Sequence, residues 1–247
     1  MNLEQFFKEN PKVAIGFSGG VDSSYLLYAG LKYGADMMAY YVESDFQPKF
    51  EISDAQNLAE QVGASLKIIK LNVLSNETIS SNPPNRCYHC KLKIFGTIKE
   101  QAKIDGFPTL IDGTNFSDDA SDRPGMKALE ELQVRSPLRE CQITKDEIRR
   151  LAREAKLITC DKPSYACLAT RIPTGNLITP EILKRVENAE NSLFELGFSD
   201  FRVRVFHDAA RLQFPKNEFE SVMKKREQIL KVVKSEFDVV LLDLEGR

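Results

Sequence analysis

Residues 13–24 read VAIGFSGGVDSS, and this stretch is the most informative part of the chain. The apolar run at 13–17 is typical of a buried β-strand, and the apolar spacing that begins at Tyr25 is typical of a helix. A glycine turn therefore lies where a strand ends and a helix begins. Gly19 and Gly20 let the backbone approach an anion at little steric cost. The N–H groups and partial positive charge at the start of the helix favour phosphate there.

The loop at 18–24 is not a Walker A motif, because no Gly-Lys-Ser/Thr follows the turn. It resembles the pyrophosphate-binding loop (PP-loop) of the N-type ATP pyrophosphatases, which release pyrophosphate from ATP and adenylate a carbonyl or carboxylate oxygen. The alternative is an ordinary strand–helix turn with an Asp–Ser cap. The candidate ATP and pyrophosphate ligands in the loop are Ser18, Gly19, Gly20, Asp22, Ser23 and Ser24.

The length, composition and net charge of the chain limit the classes of function it can have. Its 247 residues, 42% of them hydrophobic, can form one large or two modest domains. The 34 Lys and Arg against 36 Asp and Glu give a net charge of −2, which argues against a protein that lives on nucleic acid. No apolar run is long enough to span a membrane, and residues 1–10 lack the pattern of a secretion signal. We therefore expect a cytoplasmic protein that does not bind membranes.

Strands and helices alternate through the first part of the chain. We predict strands at 36–42, 66–71 and 109–111, helices at 52–63, 91–104 and 147–155, and a polar loop at 76–84. This alternation predicts an α/β fold with a doubly wound parallel sheet. Ligands bind such sheets beyond the carboxyl ends of the strands, so we expect the loops there to converge on one crevice. Gly113, Thr114 and Asn115 follow a predicted strand and join the candidate ATP ligands.

The segment 163–175 is rich in Pro, Gly and small residues and is typical of a hinge. We predict a nucleotide-binding domain at 1–165, a hinge at 166–175 and a smaller α+β domain at 176–247. The second domain is expected to contain helices at 180–196 and 217–234 and strands at 201–206, 210–214 and 238–242.

Five cysteines are an odd number, and a chain of this size does not need disulfides, so free thiols, metal ligands or catalytic sulfur are expected. Cys87 and Cys90 form a C-x-x-C motif, which leaves zinc, redox and cluster roles open. No second C-x-x-C completes a zinc site, and His89 lies awkwardly between the two thiols.

Cys167 is the natural third member of this group. Arg171 and Lys162 are close to it in sequence, and nearby cations stabilise a thiolate. The alternative is a small buried packing residue. We expect Cys160 to pack in the core and Cys141 to have no part in the chemistry.

Several segments together resemble the LarE family. They are SGGVDSS, NRCYHCK, DGTNFSDD, DRPG, RSPL, TKDEIRRLAREAKL, DKPSYACLATR and RVRVFHDAARLQF, and they span nearly the whole chain. LarE proteins are ATP-dependent sulfur transferases that help to build the nickel-pincer nucleotide cofactor of lactate racemase. The resemblance implies an N-terminal ATP pyrophosphatase domain that uses ATP and Mg²⁺, and a C-terminal sulfur-transfer domain. It also implies a small-molecule substrate, a pyridinium mononucleotide with two carboxylates, and a homo-oligomer.

Arg202 and Arg204 lie two apart on a predicted strand and so face the same side. Two guanidinium groups on one face suit a phosphomonoester such as the nucleotide phosphate of that substrate. A charged outer strand face is the alternative. Arg171 is a third candidate, and Lys162 and Arg211 are weaker ones. The acidic residues Asp118, Asp119 and Asp122 would either bind a metal or form a solvated loop.

Two sources of sulfur are compatible with the cysteines. In one branch of the family a cysteine matching Cys167 gives up its own sulfur in a single turnover. Here Cys87 and Cys90 are present too, and three cysteines can hold a [4Fe–4S] cluster with one iron that lacks a protein ligand. That iron would bind hydrosulfide obtained from a sulfide source or a sulfur-carrier protein. We favour the cluster.

Two other functions remain as alternatives. A tRNA thiolase combines a similar loop with cysteines, although the mild acidity of the chain argues against it. A non-catalytic redox or metal sensor would bind nucleotide without turnover.

Overall fold

The computed structural model describes residues 1–118 and 124–247 and divides the chain into two compact units. The first comprises Met1–Ser44, Lys49–Val73 and Asn85–Ser164, and the second comprises Asp45–Pro48, Leu74–Pro84 and Tyr165–Arg247. Two segments of the predicted nucleotide-binding domain are thus grouped with the C-terminal unit. They are Asp45–Pro48 and Leu74–Pro84.

A four-stranded parallel sheet forms the centre of the first unit. Its strands are β1 (Lys12–Gly16), β2 (Asp36–Glu43), β3 (Ser65–Lys70) and β4 (Thr109–Ile111), in the order β3-β2-β1-β4. The strand order reverses beside β1, so the ends of β1 and β4 flank the switch point at which such sheets bind ligands.

Helices cover both faces of this sheet. They are α1 (Leu3–Glu9), α2 (Val21–Lys32), α3 (Lys49–Val62), α5 (Arg86–Ile104), α6 (Pro124–Glu131), α7 (Pro137–Glu140) and α8 (Lys145–Glu154), while the short α4 (Glu77–Ser80) belongs to the second unit. Val13 and Ile15 of β1 join a core with α1, α2, α3 and α8, whereas Ala14 joins a second core with α5 and α6. Successive side chains of a strand point to opposite faces, so one strand contributes to both cores. The predicted doubly wound α/β fold is confirmed.

Helices α5 and α4 differ from the prediction. Helix α5 begins at Arg86, five residues before the predicted start, so the C-x-x-C motif lies inside the helix. The apolar spacing that signals this helix begins only later, because its first turn is polar. Helix α4 lies in the predicted loop at 76–84, where Asn76 caps it by accepting a hydrogen bond from the N–H of Thr78 at 3.0 Å.

The second unit contains a small mixed sheet. Strands β5 (Arg202–Phe206) and β6 (Ala209–Gln213) are antiparallel, and β7 (Val239–Leu242) pairs with β6 in parallel. Helix α9 (Pro180–Glu195) begins at the N-cap residue Thr179. A 3₁₀-helix runs from Leu168 to Arg171 inside the predicted hinge.

The predicted helix at 217–234 is divided. A 3₁₀-turn at Lys216–Glu218 leads into α10 (Phe219–Lys224), and α11 (Arg226–Val233) follows. Lys225 separates the two α-helices and donates from Nζ to the carbonyl oxygen of Leu196 at 2.5 Å. This contact is between residues distant in sequence, so helical spacing alone could not reveal it. Throughout residues 1–118 and 124–247, no helix has the length and apolar character needed to cross a membrane.

Candidate functional site

The loop between β1 and α2 is folded tightly on itself. Gly19 has φ +69°, and a Cβ there would lie 3.3 Å from the backbone of Ala55. The hydroxyls of Ser18 and Ser23 are 3.1 Å apart, and the Ser23 hydroxyl donates to the carbonyl oxygen of Gly20 at 3.2 Å. Gly20 is the N-cap of α2 and has no side chain with which to cap it. The start of this helix is therefore open to a ligand anion.

Two polar atoms at the start of α2 have unmet bonding capacity. The hydroxyl of Ser24 and Oδ1 of Asp22 are buried and have no hydrogen-bond partner among the described residues. The other Asp22 oxygen, Oδ2, accepts a hydrogen bond from Nζ of Lys145 at 2.6 Å. Burial raises the pKa of Asp22, although the Lys145 ammonium opposes that rise. An unpartnered carboxylate oxygen of this kind suits a hard cation such as Mg²⁺.

The loop after β4 meets the loop after β1. A Cβ on Gly113 would lie only 2.9 Å from the backbone nitrogen of Ser23. Asp112 is buried and accepts hydrogen bonds from the hydroxyls of Ser136, at 2.6 Å, and Thr114. Asn115 accepts from the N–H of Ser117 at 2.8 Å. The candidate ATP ligands from these two strand ends are thus brought together.

Two lysines flank the PP-loop. Lys145 lies in the first turn of α8, whose N-cap is Thr144. Lys162 forms an ion pair of 2.8 Å with Asp54 and donates to the carbonyl oxygen of Gly19 at 3.3 Å. Lys145 is not among the ligands predicted from the sequence, although Thr144 and Glu147 form a capping box that marks a helix start here. Lys162 is predicted from the sequence for the substrate pocket, whereas it lies beside the PP-loop.

The acidic segment is described only at its first residue. Oδ2 of Asp118 accepts a hydrogen bond from the N–H of Asn115 at 3.1 Å, so this carboxylate closes a turn. Asp119 and Asp122 lie outside the described residues, and the choice between metal site and solvated loop stays a prediction.

Cys87 and Cys90 lie at the start of α5, three residues apart and hence on one helix face. Cys87 is exposed and Cys90 is half-buried, and neither forms a disulfide. The ring of His89 is hydrogen-bonded to Asn85, with 3.1 Å between Nε2 and Nδ2. Across the two described ranges, no three His, Cys, Asp or Glu side chains gather into a group that could hold a metal.

Cys141 and Cys160 have packing contacts. Both Cys141 and Cys160 are half-buried against the core that contains α2 and α8. Burial raises the pKa of Cys141, which disfavours a thiolate there.

Cys167 lies in the second unit, at the N-cap of the 3₁₀-helix, and is half-buried. Its carbonyl oxygen accepts from the N–H of Thr170 at 3.0 Å and from the Thr170 hydroxyl at 2.8 Å. The N–H of Leu168 donates to the carbonyl oxygen of Phe46 at 2.9 Å. Hydrogen bonds on both sides therefore fix the backbone that carries the thiol.

Three predicted arginines surround this segment. Arg204 donates from Nη1 to the carbonyl oxygen of Thr170 at 2.6 Å. The guanidinium carbons of Arg171 and Arg202 lie 4.5 and 5.2 Å from the ring centre of Tyr165. Arg171 differs from the other two because its guanidinium forms a buried ion pair with Glu190. Arg211 lies further along the sheet, 3.7 Å from Asp243.

Arg202 and Arg204 are partly buried and lie close to the positive charge of Arg171. Burial, and next the Arg171 charge, lower the pKa values of Arg202 and Arg204. Each lowered pKa means that the charged form is held at a cost. A bound anion would reduce this cost.

Comparisons with known proteins find relatives over nearly the whole length of the chain. No protein-family model matches the chain. It is 37% identical over 99% of its length to an uncharacterised protein of Synechocystis, covering 93% of that protein. It is 31% identical over 97% of its length to the pyridinium-3,5-bisthiocarboxylic acid mononucleotide synthase of Lactiplantibacillus plantarum, covering 88% of that enzyme.

A more distant relative is the tRNA-specific 2-thiouridylase MnmA of Thermotoga maritima, which is 26% identical over 67% of this chain. The match covers 58% of the length of MnmA. The match to a synthase over nearly the full length of both chains indicates a shared family, and the thiouridylase match extends to the wider superfamily. This protein therefore belongs to the LarE family of ATP-dependent sulfurtransferases, within the PP-loop superfamily.

Proposed function

We propose that the protein converts a carboxylate of a pyridinium dicarboxylate mononucleotide into a thiocarboxylate, as a step in the synthesis of a nickel-pincer cofactor. The first unit would adenylate the carboxylate, and residues 176–247 would serve the sulfur transfer. The observation that carries the choice of substrate is the gathering of Arg202 and Arg204 around the Cys167 segment, through Thr170 and Tyr165. The name of the synthase relative supports the same choice.

In the adenylation step, a substrate carboxylate oxygen attacks the α-phosphorus of ATP. The bond from that phosphorus to the bridging oxygen breaks, and pyrophosphate leaves with the electron pair. Lys145 and Lys162 are close enough to the loop to balance the charge on the leaving group. The unpartnered Asp22 oxygen would hold Mg²⁺, which would offset the negative charge of the phosphates when bound.

In the transfer step, sulfur attacks the acyl carbon of the adenylated carboxylate, and the carbon–oxygen bond to AMP breaks. A free carboxylate would not react in this way because its oxygen is a poor leaving group. Arg202 and Arg204 would hold the nucleotide phosphate through paired N–H groups. The Arg171 guanidinium is paired with Glu190 and would add little net charge to this pocket.

We propose a [4Fe–4S] cluster on Cys87, Cys90 and Cys167 as the means of sulfur delivery. The support is the donor set, which comprises three cysteines that form no disulfide, two of them on one helix face. No group of three metal-ligating side chains is assembled within residues 1–118 and 124–247, so the cluster would have to organise its own ligands. When bound, it would supply an iron that lacks a protein ligand and can accept hydrosulfide.

The alternative source of sulfur is Cys167 itself. Its thiolate would attack the acyl carbon, AMP would leave, and loss of the α-proton would then break the Cβ–Sγ bond. The products would be the thiocarboxylate and a dehydroalanine at position 167.

The test is to purify the protein and its Cys87→Ala variant without oxygen and to measure iron, acid-labile sulfide and the visible spectrum. About four irons and four sulfides per chain, lost in the variant, would support the cluster. A protein without iron that loses one hydrogen sulfide equivalent after a single turnover would support donation from Cys167. Failure to form AMP from ATP would contradict both and favour a sensor.

A tRNA thiolase remains the second candidate because of the MnmA relative. Thiolation of tRNA, with no reaction of the pyridinium mononucleotide, would favour it. We further propose a cytoplasmic homo-oligomer that receives sulfur from a sulfide source or a sulfur-carrier protein.

A further inference from the structure

Arg171 and Glu190 form the most deeply buried ion pair in the described part of the chain. Their side chains are 0% and 1% exposed, and Nε of Arg171 lies 2.9 Å from Oε1 of Glu190. Nη2 of Arg171 donates to the second Glu190 oxygen at 3.1 Å, so the contact is bidentate. Such geometry fixes the orientation of the guanidinium plane as well as its position.

The remaining end of the guanidinium holds the cysteine segment. Nη1 of Arg171 donates to the carbonyl oxygens of Ala166 at 2.7 Å and Cys167 at 3.3 Å. It also donates to the Thr170 hydroxyl at 2.9 Å, and that hydroxyl in turn donates to the Cys167 carbonyl oxygen. The two carbonyls that flank the Cα of Cys167 are therefore bonded to one rigid group.

Glu190 also bonds to strand β5, which carries Arg202 and Arg204. Its Oε1 accepts from the N–H of Val203 at 2.9 Å, between Arg202 and Arg204. Its Oε2 accepts from the hydroxyl of Tyr165. Glu190 thus bonds the strand proposed to hold the phosphate, while its partner Arg171 bonds the segment that carries the thiol.

Stability alone does not explain this pair. A buried ion pair costs desolvation, and well-packed apolar side chains of similar volume often stabilise a core equally well. An apolar pair, however, could not hold the two carbonyls or the strand N–H. The hydrogen bonds that the pair makes to other residues are what apolar replacements would lose.

We propose that Arg171 and Glu190 are positioning residues, which fix the direction of the Cys167 thiol relative to Arg202 and Arg204. This inference rests on the proposed function, in which sulfur reaches the substrate at Cys167. Arg171 then acts through Cys167 and does not bind the substrate phosphate itself.

The discriminating variant is Arg171→Lys, which keeps the charge but lacks the planar fork that reaches several acceptors at once. We expect kcat for thiocarboxylate formation to fall by roughly 10²-fold, as when a reacting group is displaced by about 1 Å. The KM for the mononucleotide and the rate of adenylation should stay unchanged. Arg150→Lys is the matched control, because Arg150 pairs with Glu147 on an exposed helix face.

A second measurement does not require the proposed substrate. Cys167 and the exposed Cys87 are alkylated with iodoacetamide, and the two rates are compared by mass spectrometry. We expect Arg171→Lys to change the rate at Cys167 and to leave the rate at Cys87 unchanged. If the wild type forms no thiocarboxylate, the proposed function fails, while this comparison still tests the positioning role.

The double variant Arg171→Met/Glu190→Met guards against a loss of folding. We expect it to fold, as judged by its melting temperature, and to show the same fall in kcat as Arg171→Lys. Wild-type kcat in either folded variant would overturn the proposal. So would a raised KM with unchanged kcat, which would make Arg171 a phosphate ligand. Unfolding of both variants would show a purely structural role and would overturn it as well.

Discussion

Nζ of Lys162 lies 3.3 Å from the carbonyl oxygen of Gly19, at the centre of the PP-loop, and its ion pair with Asp54 holds it there. The side chain is 17% exposed, so its charge is only partly screened by water. An ammonium group in this place can follow the charge that develops on pyrophosphate as it leaves.

Replacing Lys162 with methionine should therefore weaken ATP binding. We expect the KM for ATP to rise about tenfold, the equivalent of one charge-assisted hydrogen bond. Lys67→Met is the matched control, because Lys67 forms an ion pair of the same 2.8 Å length with Asp105 at the end of α5. The KM for ATP of both variants is measured from the steady-state release of pyrophosphate. An equal change in the two variants would mean that Lys162 acts only on stability.

Replacing Lys145 with methionine should shift the pH dependence of ATP turnover. Burial already raises the pKa of Asp22, and Lys145 opposes this rise. Without Lys145 the pKa of Asp22 rises further, and the ionised form that we propose to bind Mg²⁺ is lost at a higher pH. The acidic limb of Mg²⁺-dependent turnover should therefore move to higher pH.

The raised pKa of Asp22 also predicts how the stability of Lys145→Met changes with pH. A carboxyl group whose pKa is higher in the folded than in the unfolded protein stabilises the fold when it is protonated. That contribution is lost when the group ionises. The stability of Lys145→Met should therefore fall, relative to the wild type, as pH rises from the ordinary aspartate range through the raised pKa. Lys162→Met, in which Asp22 keeps Lys145, serves as the control. An acidic limb at the wild-type pH in Lys145→Met would contradict the assignment of Asp22 as the titrating group.

Alanine at Gly113 should force the two loops of the nucleotide site apart. Its Cβ would lie 2.9 Å from the backbone nitrogen of Ser23, which cannot move without moving the PP-loop. We expect a loss of about 1–3 kcal/mol in the free energy of unfolding, typical of overpacking, together with reduced ATP turnover. Chemical denaturation and pyrophosphate release measure the two effects.

Gly96→Ala is the control, because a Cβ at this position of α5 meets nothing within 4 Å. That change should stabilise the protein by roughly 0.5–1 kcal/mol, since alanine is the better helix former. Full ATP turnover in Gly113→Ala would show that the contact between the loops does not shape the site.

Local patterns in the sequence predicted much of this arrangement. The glycine turn predicted the PP-loop, and the alternation of strands and helices predicted the parallel sheet, because both signals lie within a few neighbouring residues. Contacts between distant residues could not be predicted in this way. Lys162 is close to Cys167 in sequence, yet its ion pair is with Asp54. An arginine such as Arg171 is predicted from sequence to bind an anion. Its ion pair with Glu190 becomes visible only in the folded chain.

The phosphate role of Arg202 and Arg204 leads to a prediction in which the substrate itself is varied. Arg202→Gln and Arg204→Gln should each raise the KM for the mononucleotide about tenfold, since each removes a charge-assisted contact. With the corresponding nucleoside, which lacks the phosphate, the two variants should match the wild type. Arg211→Gln is the control, because Arg211 lies beside Asp243 and can be neutralised there. An equal loss with nucleotide and nucleoside would show that the arginines support the fold of β5 and do not recognise the phosphate.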